Sequence, residues 1–187
     1  MQNLRATDWL RRSLWPGVAL ITAGLLSTGC GIRTSRAPGA LLERQQSDPA
    51  LSGDGRVLAV IVDQRGRPTV QLRDLRNGNL LPLRHLNRQQ PHSSPSLSWN
   101  ARYLALITQR GNRRMAMIED RLSGRAHPLR LPGNRDPVRV SLAPDAQQLA
   151  IQVAERGRWR VEMIDLSDML EPDRPGGLRV TTPQGNP

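Results

Sequence analysis

Beyond residue 46 the apolar positions come in short runs rather than in a helical stripe. Val57 to Val62, Tyr103 to Ile107 and Leu149 to Val153 are almost wholly apolar and are bounded by turn residues. Runs this short, so bounded, predict strands buried on both faces. Each is followed by a polar turn containing glycine, at Asp63–Gly66, Gln109–Asn112 and Glu155–Gly157. An alternating strand comes next, in which Val70 and Leu72, Met115 and Met117, or Val161 and Met163 share one face. A turn at Asn77-Gly78 or Ser123-Gly124 then leads to a fourth strand, at Leu80 to Leu83 and at His127 to Leu131. In the third unit Leu166 to Gly177 replaces that turn, and the fourth strand is expected at Leu178 to Thr182.

The same order occurs three times. Pro49 to Ala59, Pro95 to Ala105 and Ser141 to Ala150 align on their final alanines, and Val70 to Asp74, Met115 to Glu119 and Val161 to Asp165 form a second anchor at the same period. Asp54-Gly55, Asn100-Ala101 and Asp145-Ala146 stand where a tight turn needs residues that tolerate left-handed backbone or bond their own main chain. Four antiparallel strands in about 45 residues is the organisation of a propeller blade.

These segments resemble the TolB-type (WD40-like) β-propeller repeat, whose core reads roughly S-P-D-G-R-x-L-A before a strand ending in Asp. Leu51 to Ala59 matches with Gly53 in place of Pro; Leu97 to Ala105 keeps Arg102-Tyr103-Leu104-Ala105; Leu142 to Ala150 keeps Pro144-Asp145. The resemblance implies an all-β fold of three four-stranded antiparallel blades, a partial propeller. It also implies a protein-interaction platform, the frequent role of that class. In some peptidases such repeats stand beside a hydrolase domain. Closed propellers typically use four to eight blades. Three blades can form an open arc, two chains can close a six-bladed ring head to tail, or another protein can supply the missing blades. The arc is preferred, because no sequence feature marks the two end faces as complementary.

The N-terminus has a different pattern. Arg5, Arg11 and Arg12 precede an uncharged stretch, Ser13 to Ile32, densest in apolar residues from Leu14 to Leu26. That core spans roughly 20 Å as a helix, short of a hydrocarbon layer of about 30 Å, so an export signal fits better than a membrane span. Leu25-Leu26-Ser27-Thr28-Gly29-Cys30 resembles the lipobox of bacterial lipoproteins. The resemblance implies lipidation of Cys30 and a mature chain starting there; an uncleaved anchor helix is the alternative. Gly31 rather than Asp follows, so no inner-membrane retention signal is carried, and the outer membrane, periplasmic side, is the expected address. The expected organisation is a signal segment and helix over 1–29, the lipidated Cys30 with a flexible tether over 30–46, and blades over about 47–92, 93–137 and 138–182 with a short tail to 187.

Composition narrows the chemistry. The chain has 187 residues and a formal net charge of +11, and all its basic residues are arginine. One cysteine excludes an intrachain disulfide and a cysteine-based zinc site. No nucleophile elbow, phosphate loop or dinucleotide fingerprint occurs. Ser52, Ser98 and Ser141 fall in or near repeated turns. Asp74, Glu119 and Asp165 recur as strand-end caps, and His85, His92 and His127 are scattered. We therefore expect no catalysis, cofactor or metal. The remaining signal is arginine at one repeated turn: Arg65 and Arg67; Arg110, Arg113 and Arg114; Arg156, Arg158 and Arg160. Equivalent propeller loops share a rim, so these arginines are the candidate contacts for an anionic partner: lipid headgroups, envelope glycans or an acidic protein. A solvated, arginine-rich face is the plainer alternative. Nucleic acid is not expected for an exported chain. The expected partners are the membrane, through the lipid, and an envelope protein.

Overall fold

A computed structural model describes residues 45–86, 90–133 and 135–176. The expected signal helix, Cys30, nearly all of the tether and the strand expected at Leu178 to Thr182 lie outside these residues. Within them there is no helix, and eleven strands form three antiparallel sheets. The first holds β1 (Gln46–Leu51), β2 (Val57–Asp63), β3 (Pro68–Asp74) and β4 (Leu80–Leu81). The second holds β5 (His92–Leu97), β6 (Tyr103–Arg110), β7 (Arg113–Asp120) and β8 (Arg125–Leu129). The third holds β9 (Asp136–Leu142), β10 (Gln148–Glu155) and β11 (Arg158–Asp165). In each sheet strand order follows chain order.

The repeated turns behave alike. Gly55, Ala101 and Ala146 occupy one position of the turn joining the first two strands, with φ of 69°, 55° and 63°. Each donates its N–H three residues back, to Ser52, Ser98 and Ala143 respectively. The three inner strands stand side by side, with β5 between β1 and β9. They are stitched at positions one repeat apart. The Asp48 carboxylate accepts the Ser94 N–H at 3.2 Å. Ser94 Oγ accepts the Val140 N–H at 3.0 Å, and Ser96 Oγ accepts the Leu142 N–H at 2.9 Å.

Two apolar layers lie between the sheets. Val57, Ala59, Ile61, Val70 and Leu72 of the first sheet meet Leu104, Leu106 and the partly buried Met117 of the second. The other face of the second sheet offers Tyr103, Ala105, Ile107, Ala116 and Ile118 to Leu149, Ile151 and Val153 of the third.

This pairing corrects the second sequence anchor. Ile61 pairs with Val70, Ile107 with Ala116, and Gln152 with Val161. The equivalents of Val70 and Leu72 are thus Ala116 and Ile118, not Met115 and Met117. Likewise Asp120, not Glu119, matches Asp74 and Asp165. The sandwiched β7 is apolar on both faces, so alternation could not reveal its register.

Candidate binding surfaces

The three sheets stand in the same orientation, which fixes what gathers at each end. The turns after the inner strands meet at one end: Gly53 and Asp54 donate N–H to the carbonyls of Ser98 and Trp99, at 3.4 and 3.0 Å, and Trp99 donates to that of Pro144 at 2.7 Å. Antiparallel pairing then sends the β2–β3, β6–β7 and β10–β11 hairpins to the opposite end. All eight arginines expected as contacts stand in or beside those hairpins, exposed. Arg65 and Arg156 hold left-handed turn positions, with φ of 59° and 49°. Among the described residues only Arg160 of the eight has a carboxylate within ion-pair distance, Glu155 at 3.9 Å.

One of the three hairpins also walls a cavity of about 680 Å³. Arg110, Arg113 and Arg114 line it together with Arg130 and Arg135, from the segment joining β8 to β9. Those two were missed in the sequence because they belong to no repeated turn. Arg135 is neutralised, with its guanidinium 2.8 Å from Glu162. Arg110, Arg113, Arg114 and Arg130 have no carboxylate partner among the described residues. Arg65 and Arg67, and Arg156, Arg158 and Arg160, lie outside this cavity's lining.

A second hollow, about 760 Å³, opens at the other end between Arg102, Arg121, Pro172 and Asp173. Its charges are largely met internally. Arg102 holds Asp120 at 3.2 Å and Glu171 at 2.7 Å, while Asp173 accepts from Ser98 Oγ at 2.5 Å and from the Asn100 N–H at 2.8 Å.

A different surface belongs to the third sheet. Trp159, Val161 and Met163 are 65%, 69% and 63% exposed, whereas the equivalents of the last two are buried: Val70 and Leu72 at 5% and 1%, Ala116 and Ile118 at 1% and 0%. Each earlier sheet covers this face with the next sheet. The neighbouring positions on β10 are polar in part, Gln148 and Gln152 standing where β2 has Val57 and Ile61.

The residues considered for catalysis are engaged structurally. Ser52 Oγ and Ser98 Oγ accept the N–H of Val57 and Tyr103, at 3.0 and 2.9 Å, and Ser141 lies exposed on β9. Asp74, Asp120 and Asp165 each accept the N–H two residues on, at 2.9 Å. The Arg76 side chain holds the Asp74 carboxyl below its usual range, and the Ser167 N–H does the same for Asp165. Burial alone would raise Asp120, but bonds from Arg102 and Ser123 outweigh it and the net shift is downward. Glu119 is buried and takes the N–H groups of Arg84 and His85. His85 bonds the Gly124 carbonyl, His127 lies on β8, and the buried His92 accepts the Val70 N–H at its Nδ1, 3.2 Å away. Among the described residues no group of three His, Cys, Asp or Glu is placed to hold a metal ion.

No protein-family model and no curated protein matches the chain. Solved structures do. TolB from Acinetobacter baumannii superposes with a TM-score of 0.52 at 16% identity, over 67% of this chain and 31% of its own. A putative TolB from Agrobacterium tumefaciens gives 0.54 at 11% identity, over 66% and 46%. The β-propeller domain of the Trilobed protease from Pyrococcus furiosus gives 0.50 at 14%, over 70% and 41%. The likeness is one of fold: a TolB-like propeller arrangement of blades. The chain spans less than half the length of each of these structures.

Proposed function

We propose that this chain is an envelope-anchored, non-catalytic docking module whose third blade receives a protein partner. One observation carries the reading: Trp159, Val161 and Met163 are exposed on the face that the first two sheets bury against their successors. The occupant that fits is a partner whose own sheet takes the place of the next blade, repeating the contacts already made twice within the chain. The interaction role implied by the TolB-like repeats supports the same reading. The arginine, apolar stretch and Cys30 at the N-terminus support the anchor. The engagement of Ser52, Ser98 and the strand-end aspartates in turns supports a module without chemistry of its own. A blade set serving an envelope hydrolase would use the same face. A head-to-tail homodimer comes second, because it would have to seat this face on that of Val60 and Val62, which are already buried in the single chain.

A photoreactive residue at Val161 tests the docking face in intact envelopes. We expect an adduct to one other polypeptide, weakened by Met163→Glu. An adduct of twice the chain mass would transfer the face to self-association, and no adduct would end the docking reading. The anchor is tested separately: Cys30→Ser should abolish metabolic palmitate labelling, and unchanged labelling overturns lipidation.

A further inference from the structure

The arginine-lined end of the body has a feature that protein docking does not use. Arg110 and Arg113 are direct cross-strand partners on β6 and β7, and Arg114 follows. Like charges placed opposite each other are unfavourable. Here Arg130 from the β8–β9 segment adds a fourth cation; Asp136 also lines the hollow, yet none of the four has a carboxylate within ion-pair distance among the described residues, so the positive charge is in excess. Their cavity is of ligand-binding size. Part of its wall is apolar, from Met115, Leu129 and Leu131. Planar guanidinium groups around an open hollow match phosphate oxygens, which they bind bidentately. The apolar wall suits a phosphate carried on a greasy body better than a free inorganic ion.

The path of the chain indicates the source. Residue 45 stands at this same end: the Asp63 N–H bonds the Gln45 carbonyl at 3.2 Å, beside the hairpin of Arg65 and Arg67. The connection from Cys30 therefore enters the body at the arginine end. Fourteen residues, 31–44, would span at most about 50 Å if fully extended. A membrane-held N-terminus thus leads into the body on the side where Arg65, Arg67, Arg156, Arg158 and Arg160 of the other two hairpins add exposed positive charge.

We infer that the cavity walled by Arg110, Arg113, Arg114 and Arg130 seats the phosphate of an anionic phospholipid headgroup and holds the body against the membrane surface. The inference rests on the anchored reading for its orientation. Its test reads the cavity rather than the anchor. Hydrogen exchange of the full chain is compared on pure phosphatidylcholine vesicles and on vesicles containing phosphatidylglycerol. Attachment to the neutral vesicles reports the N-terminus. Exchange over 109–115 and 129–133 should slow at least about fivefold on the anionic vesicles alone, the effect of roughly one arginine at a charged surface. It should recover in about 1 M salt, where the screening length is about 3 Å. Arg110→Gln, Arg113→Gln and Arg114→Gln together should abolish the protection, whereas Arg56→Gln, Arg125→Gln and Arg174→Gln together, the same charge removed elsewhere, should leave it. Equal exchange on both vesicles, or equal loss in the two triple variants, overturns the proposal. Protection by millimolar inorganic phosphate without vesicles would assign the seat to a soluble anion and overturn the lipid source.

Discussion

Gly53 shows how one residue departs from its repeat for a local reason. The TolB-type pattern has proline there, but a Cβ at this position would stand 2.6 Å from the Trp99 ring. The glycine lets the first turn lie against the second. Trp99 is itself the second repeat's departure, so the two exceptions answer each other. His92 is the residue whose chemistry most affects stability. Burial lowers its pKa from 6.5 to about 4, and its Nε2 has no hydrogen-bond partner among the described residues. Only the neutral ring can accept the Val70 N–H at Nδ1. Between those two pKa values the unfolded chain binds more protons than the folded one. Stability is therefore complete above about pH 6.5 and falls as the pH drops toward 4, with a limit of roughly 3 kcal/mol. Urea midpoints measured from pH 7 to pH 5 should fall for the wild type and stay flatter for His92→Gln. Parallel curves would remove His92 from the account.

At the scale of the element, exposure separates strands that share one pattern. Leu72, Ile118 and Met163 are equivalent in pairing register, yet only Met163 faces solvent. Leu72→Ala should cost about 2–5 kcal/mol through the cavity it leaves. Met163→Ala should stay within about 0.5 kcal/mol. Denaturant titration of the two variants checks this, and a large loss for Met163→Ala would mean its face is covered in the isolated chain. The β strands and their turns were legible because short apolar runs between Asp-Gly or Asn-Ala pairs leave few other folds. The register of β7 was not legible: Met115, Ala116, Met117 and Ile118 are all apolar, and a strand buried on both sides carries no alternation to read.

At the scale of the whole described body, the arginines divide in a way their number does not show. Those at Arg102, Arg76 and Arg135 hold carboxylates, while of the eight hairpin arginines, at the end where the chain enters, only Arg160 has a carboxylate within ion-pair distance among the described residues. The repeat in the amino-acid order by itself determined three β units, their turns and the presence of arginine at one equivalent hairpin, because period and turn chemistry are local properties. Only the tertiary structure decided which face of the third sheet stays open, that Arg130 joins Arg110, Arg113 and Arg114 around one cavity, and that Asp120 rather than Glu119 continues the capping series. Those outcomes depend on which sheets stack and how strands pair, and residues far apart in the chain meet only after packing has chosen a register.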